Sequence, residues 1–173
     1  LEGQLSKNGL NITPKEFNQL VNLKAVFPDF AMKIGAIIGN GSSQEVETLG
    51  GFGRFFGIIS TIADEFSDLL NPDELTNRLK NECPPIPIIY ALQDIQIKNE
   101  LLPLLNLDIL DEKTHEKVSD LVLGSSEIKL AINEWRTLAE KQIIKLEKEK
   151  IKNLGELRKI LLAPLEFIVY CSS

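Results

Sequence analysis

The chain has 173 residues, 43% hydrophobic and 25% charged, with a net charge of −6, a composition that reads as one soluble globular domain spanning 1–173. The acidic balance excludes a nucleic-acid partner, because neutralising phosphates needs a basic face. No apolar run approaches the ~18 residues of a membrane-spanning helix, and Cys83 and Cys171, the two cysteines, lack metal-ligand spacing, so a reducing, cytoplasmic setting is expected.

Helical periodicity dominates from the first recognisable element onward. Met32 is the sole methionine, which leads to the expectation that Leu1 is not a translational start. Thr13, Pro14 and Glu16 supply an N-cap, a first-turn proline and a capping-box acid, so a helix is predicted to begin there and run to about Phe27. Pro28 removes a backbone donor and predicts a kink. The helical pattern resumes over 30–38 and stops at the turn cluster from Gly39 to Ser43. Ser43 is expected to cap a long helix over 44–70, roughly 40 Å from end to end. Gly50, Gly51, Gly53 and Gly57 lie inside it, each about 1 kcal/mol worse than alanine in a helix, which predicts that a neighbouring helix backbone packs very close.

Asn71 and Pro72 end that helix. Residues 73–81 read as a short helix or a loop, and Pro84, Pro85 and Pro87 lead into a short buried helix over 88–92. Residues 94–99 read as a polar linkage and 101–105 as a short apolar turn. One amphipathic helix is predicted over 111–123. Ser125 or Ser126 caps a long one whose apolar stripe includes Ile128, Ile132, Trp135, Ala139 and Leu146, and whose charged end, 145–153, is solvated. A last helix is predicted over 154–170, bent at Pro164. The fold class is all-α, a helical bundle.

Asp64, Glu65 and Asp68 form the sharpest constellation. Residues three and four apart share a helix face, so three carboxylates gather beside the apolar Ile58, Ile62 and Leu69. Such a cluster needs counter-charge, and a magnesium ion bridging to phosphate oxygens supplies it; the same spacing also suits a solvated acidic face. Lys24, flanked by apolar residues, is a candidate phosphate holder, or a stem lying along the core with its tip in water. His115 sits in a charged segment and is expected to face solvent. Trp135 is expected in the core. The GGFG run at 50–53 is not a nucleotide loop, since no strand precedes it and no Lys-Ser/Thr follows.

In order and spacing, these pieces resemble the trans-isoprenyl diphosphate synthase (polyprenyl synthetase) family. The residues that carry the resemblance are EGQ at 2–4, LKAVFPDFAMKIGAIIG at 23–39, GFGRFFGIISTIADEFSDLL at 51–70, NRLKNECPPIPIIYAL at 77–92 and the turn at Ser125-Ser126. The resemblance implies the isoprenoid-synthase fold, present here as its C-terminal half, and head-to-tail condensation of isopentenyl diphosphate with an allylic diphosphate clamped by Mg²⁺. It also implies Asp64, Glu65 and Asp68 as the metal ligands of the second aspartate-rich motif. Lys24, Gln4 and Thr61 stand at its substrate-binding positions.

Several positions depart from the family pattern. Glu65 replaces the middle aspartate, Ser60-Thr61 replace a Phe-Gln pair, Ala25 replaces the threonine after the lysine, and Cys83 and Pro85 replace a later lysine and threonine. The first aspartate-rich motif is absent. The leading expectation is therefore a transferase portion that contributes one metal-diphosphate half-site and is inactive alone. Its partner would be the N-terminal half or another synthase subunit, in a homo- or hetero-oligomer. The alternative is a non-catalytic homologue that binds or regulates an active synthase. An isolated half should also expose the apolar wall of its missing partner, including parts of the Phe52 to Ile62 surface.

Overall fold

The computed structural model describes residues 12–107 and 110–172, and every regular element among them is an α-helix. In chain order these are α1 (Pro14–Lys24), α2 (Val26–Ile38), α3 (Ser43–Leu70), α4 (Pro72–Asn81), α5 (Ile86–Ala91), α6 (Ile95–Leu105), α7 (Glu112–Gly124), α8 (Ser126–Lys148) and α9 (Leu154–Cys171). This is the all-α architecture expected of the isoprenoid-synthase fold. None of the described helices is long and apolar enough to cross a membrane. The chain groups into two compact units, one built chiefly from Asp64–Ile132 and the other from Asn18–Ala63 with Asn133–Tyr170.

Local signals account for most helix boundaries. The Thr13 backbone N–H donates to Glu16 Oε2 at 2.9 Å while the Glu16 N–H donates to Thr13 Oγ1 at 3.3 Å, a reciprocal cap. The cap of α3 is Ser42 rather than Ser43: the acid three positions on is Glu45, whose Oε2 accepts from the Ser42 N–H at 2.7 Å. Ser125 caps α8 through the Ile128 N–H at 3.3 Å.

The break expected at Pro28 falls at Ala25, between α1 and α2. A proline ring collides with the carbonyl four residues earlier and leaves it without a donor, and here that carbonyl belongs to Lys24, the last residue of α1. Another correction concerns 94–105. Instead of a linkage and a turn, Asp94 caps one continuous helix, with Oδ1 accepting from the Gln96 and Ile97 N–H groups at 2.9 and 3.3 Å. Pro103 lies inside it and is tolerated because Leu101 and Leu105 are buried on the same face.

In the second unit α3 meets α2 at the glycines. A Cβ on Gly53 would sit 2.5 Å from the Pro28 carbonyl oxygen, and one on Gly57 would sit 3.2 Å from the Ala25 Cα. The close backbone approach predicted from the glycines is thus present. Ion pairs flank it, Arg54 with Asp29 at 3.4 Å and Lys33 with Glu47 at 3.2 Å. Phe52, Phe55, Ile59 and Ile62 are buried because helical period turns all four inward, while Phe56 and Ile58 of the same stretch are half-buried, so only part of it could face a missing partner. Trp135, Ala139, Ile143 and Leu146 of α8 are buried at helical spacing, as are Leu161, Leu165 and Ile168 of α9.

In the first unit, Phe66 and Leu69 from the end of α3 join Leu75 of α4, Ile88 and Ile89 of α5, Leu101 of α6 and Val118 and Val122 of α7 in the core. Each such side chain contributes about 1.5–3 kcal/mol on burial. His115 belongs to this core face and not to solvent. It is 7% exposed, and its Nε2 lies 2.9 Å from the carbonyl oxygen of Leu69. A carbonyl only accepts, so Nε2 carries the proton and satisfies one of the orphan carbonyls at the C-terminus of α3.

Candidate functional site: an arginine latch on the acidic motif

The last two turns of α3 carry the acidic motif. Ile62, Phe66 and Leu69 define the buried face. Glu65, three residues beyond Ile62, falls on that face and is 5% exposed. Asp68 lies at its edge with 28% of its side chain accessible, and Asp64, about 100° around the helix from Glu65, is exposed. The three acids therefore do not share one environment.

The counter-charge comes from the chain itself. Asn71 alone separates α3 from α4 and caps α4, accepting from the Asp73 and Glu74 N–H groups at 3.1 Å each. Helix α4 buries Leu75 and, one turn later, Arg78. The Arg78 guanidinium donates from Nη2 to Glu65 Oε2 at 2.9 Å and from Nη1 to Asp68 Oδ2. Its Nε donates to the Cys83 carbonyl at 2.9 Å and lies 3.3 Å from Glu82 Oε2. Glu65 Oε2 accepts one further bond, from the Ile86 N–H at 3.2 Å. All three guanidinium nitrogens are engaged, and the arginine ties the end of α3 to α4 and to the Pro84-Pro85 approach to α5.

The electrostatics follow from the burial. Loss of water pushes the Glu65 carboxyl above the usual carboxylate range, against the opposing pull of Arg78 and the Ile86 N–H. Burial likewise pushes the Cys83 thiol up.

Among the described residues no group of three His, Cys, Asp or Glu side chains is arranged to hold a metal ion. The magnesium site that the resemblance implies does not fit this arrangement, because Glu65 and Asp68 are turned to Arg78. The counter-charge expected from magnesium is supplied to Glu65 and Asp68 by that guanidinium. Lys24 is exposed at the C-terminal end of α1. The Thr61 hydroxyl donates to the Gly57 carbonyl of its own helix at 2.8 Å. Both belong to the other unit, and Gln4 lies outside the described residues. A groove of about 470 Å³ between α8 and α9, lined by Arg136, Glu140, Leu162 and Tyr170 among others, contains none of the candidate residues.

Arg78 is the residue the sequence reading missed. Its signal was present: an arginine three positions after a core leucine on a short helix, 10 and 13 residues beyond the two acids it binds.

No family model matches the chain, and no solved structure does. Curated proteins do. The chain is 30% identical over 134 residues to a short chain isoprenyl diphosphate synthase of Methanothermobacter thermautotrophicus, a match covering 75% of this chain and 38% of that protein. It is 33% identical over 72 residues to geranylgeranyl pyrophosphate synthase 7, chloroplastic, of Arabidopsis thaliana, covering 42% of this chain and 20% of that protein. The chain thus spans well under half the length of either relative. With the all-helical architecture and the ordered motifs, these matches support the isoprenyl diphosphate synthase family for the aligned stretch.

Proposed function

We propose that residues 1–173 are the C-terminal portion of a prenyltransferase-type domain acting on isopentenyl and allylic diphosphates. In this portion the second acidic motif serves as an internal ion-pair latch, and the chain is a binding or regulatory subunit working with an N-terminal half or an active synthase. The observation that carries this reading is the Arg78 guanidinium seated between Glu65 and Asp68. An acid already paired and buried has no open coordination position to offer a diphosphate-bound cation, and freeing it would first break a buried pair costing about 3–5 kcal/mol.

A second reading, the metal-diphosphate half-site of the condensation itself, is favoured by the exposure of Asp64 and the partial exposure of Asp68. Calorimetric titration of the chain with isopentenyl diphosphate, in magnesium and in chelator, separates the two. The latch reading expects the same heats in both buffers and in the Asp64→Ala/Asp68→Ala variant. Magnesium-dependent binding that disappears in that variant transfers the assignment to the half-site.

A further inference from the structure

The turn between α2 and α3 holds an Asn-Gly pair in a defined geometry. Helix α2 ends in a Schellman motif: the Gly41 N–H donates to the Ala36 carbonyl at 2.8 Å, and the Asn40 N–H donates to the Ile37 carbonyl at 3.0 Å. Asn40 takes the left-handed position, with φ at 54°, and is exposed. A Cβ at Gly41 would sit 3.0 Å from the Ala36 carbonyl oxygen, so the tight closure favours glycine there. The Asn40 carboxamide therefore stands in water beside a backbone nitrogen that no side chain screens.

We propose that Asn40 is a site of spontaneous deamidation, gated by opening of this turn. The Gly41 nitrogen attacks Asn40 Cγ, a new C–N bond closes a five-membered imide, and the carboxamide nitrogen leaves as ammonia. Water then opens the imide at either carbonyl, giving aspartate or, with the chain rerouted through Cγ, isoaspartate. No electrons change hands, and solvent water is the co-reactant. The attacking nitrogen is the one whose N–H is donated to Ala36, so the closed motif withholds it and the reaction waits on fraying of the last turn of α2. Openings at helix ends cost far less than global unfolding. Asn153 supplies the contrast. It is also exposed with a positive φ, 59°, but the next residue is Leu154, whose side chain crowds the nitrogen. The product changes the turn. A carboxylate arrives at the negative end of the α2 dipole, and isoaspartate inserts one backbone atom into the loop closed by the Gly41–Ala36 bond, just ahead of the Ser42–Glu45 cap of α3. This inference stands apart from the latch reading of the acidic motif.

Incubation of the 173-residue chain, folded and in urea, followed by peptide mapping by mass spectrometry, tests it. Methyl transfer by an isoaspartyl methyltransferase reports the rearranged product. Conversion at Asn40 is expected in the folded chain, more slowly than in urea, while Asn153 keeps its amide. Glu45→Ala removes the acceptor of the Ser42 N–H and loosens the turn, so it is expected to raise the rate in the folded chain and not in urea. Gly41→Ala is expected to lose most of the conversion in both. Circular dichroism checks that each variant keeps its helices. Asn8, the other asparagine followed by glycine, lies outside the described residues, and its peptide is read separately. A folded chain that retains the Asn40 amide while the urea-unfolded chain converts overturns the proposal, as does Asn153 converting as fast as Asn40. A rate equal in both solvents, or unchanged by Glu45→Ala, overturns the gate.

Discussion

Replacing Arg78 by methionine preserves the length of the side chain and removes its charge and its donors. Glu65, with 7% of its side chain accessible, would keep only the Ile86 N–H as a partner, and the Cys83 carbonyl would lose its bond to Nε. Breaking a buried ion pair by deleting one member costs about 3–5 kcal/mol, because the remaining charge is stranded. At about 2–4 °C per kcal/mol for a chain of this size, the melting temperature should fall by roughly 6–20 °C. Urea denaturation followed by circular dichroism at neutral pH measures the loss directly. The double variant Arg78→Met/Glu65→Leu removes both charges, and its stability should return to within about 2 kcal/mol of the parent, since an apolar pair of similar volume substitutes well for a buried ion pair. Arg78→Lys should fall between, because an ammonium cannot reach two carboxylates and a carbonyl at once. An Arg78→Met protein within about 1 kcal/mol of the parent would show that the pair behaves as a surface ion pair and refute the latch.

Other substitutions test the packing around it. Gly53→Ala should destabilise by about 1–3 kcal/mol despite better helix propensity, since its Cβ meets the Pro28 carbonyl. Gly51→Ala, whose Cβ meets only the Gln142 Oε1 at 4.0 Å, should stabilise by up to about 1 kcal/mol; paired urea titrations compare the two. His115→Ala should lose about 2 kcal/mol from an unsatisfied carbonyl and a new cavity, read by thermal melting. The raised Glu65 carboxyl has a defined consequence for pH. Its contribution to stability is fully present below the unfolded glutamate range and is lost as pH rises through the folded value. The stability gap between the parent and Glu65→Gln should therefore narrow from acid to neutral pH. A gap that widens over that interval would reverse the sign of the burial effect.

What the sequence disclosed, and what it hid, divides along the range of the forces involved. Caps are local, so the starts of α1, α3 and α8 were legible to within one residue, and the glycines of α3 announced a close neighbour because they are costly in a helix without one. The helix over 95–105 was hidden by Pro103 and a polar first turn, two local warnings that burial of Leu101 and Leu105 overrides. His115 looked solvent-facing because its neighbours in the chain are charged; its partner is a carbonyl 46 residues away. At the acidic motif the need for a positive charge was legible and its source was not. Helical period places Asp64 and Asp68 together, yet it cannot say whether the compensating cation arrives from solution or from an arginine on the following helix.

The bonds that meet at Glu65 and Asp68 close short stretches of chain, spanning 10, 13 and 21 residues. By contrast, the hydrogen bond from Gln44 to Glu149 joins residues 105 positions apart. Short loops close within roughly 10–100 ns and at little entropic expense, so the corner from the end of α3 to the start of α5 can assemble before distant segments find one another. During synthesis it becomes formable as soon as Ile86 has left the ribosome, before α6 to α9 have emerged. This corner is therefore positioned to act as an early nucleus, and substitutions at Arg78 should slow refolding as well as lower stability.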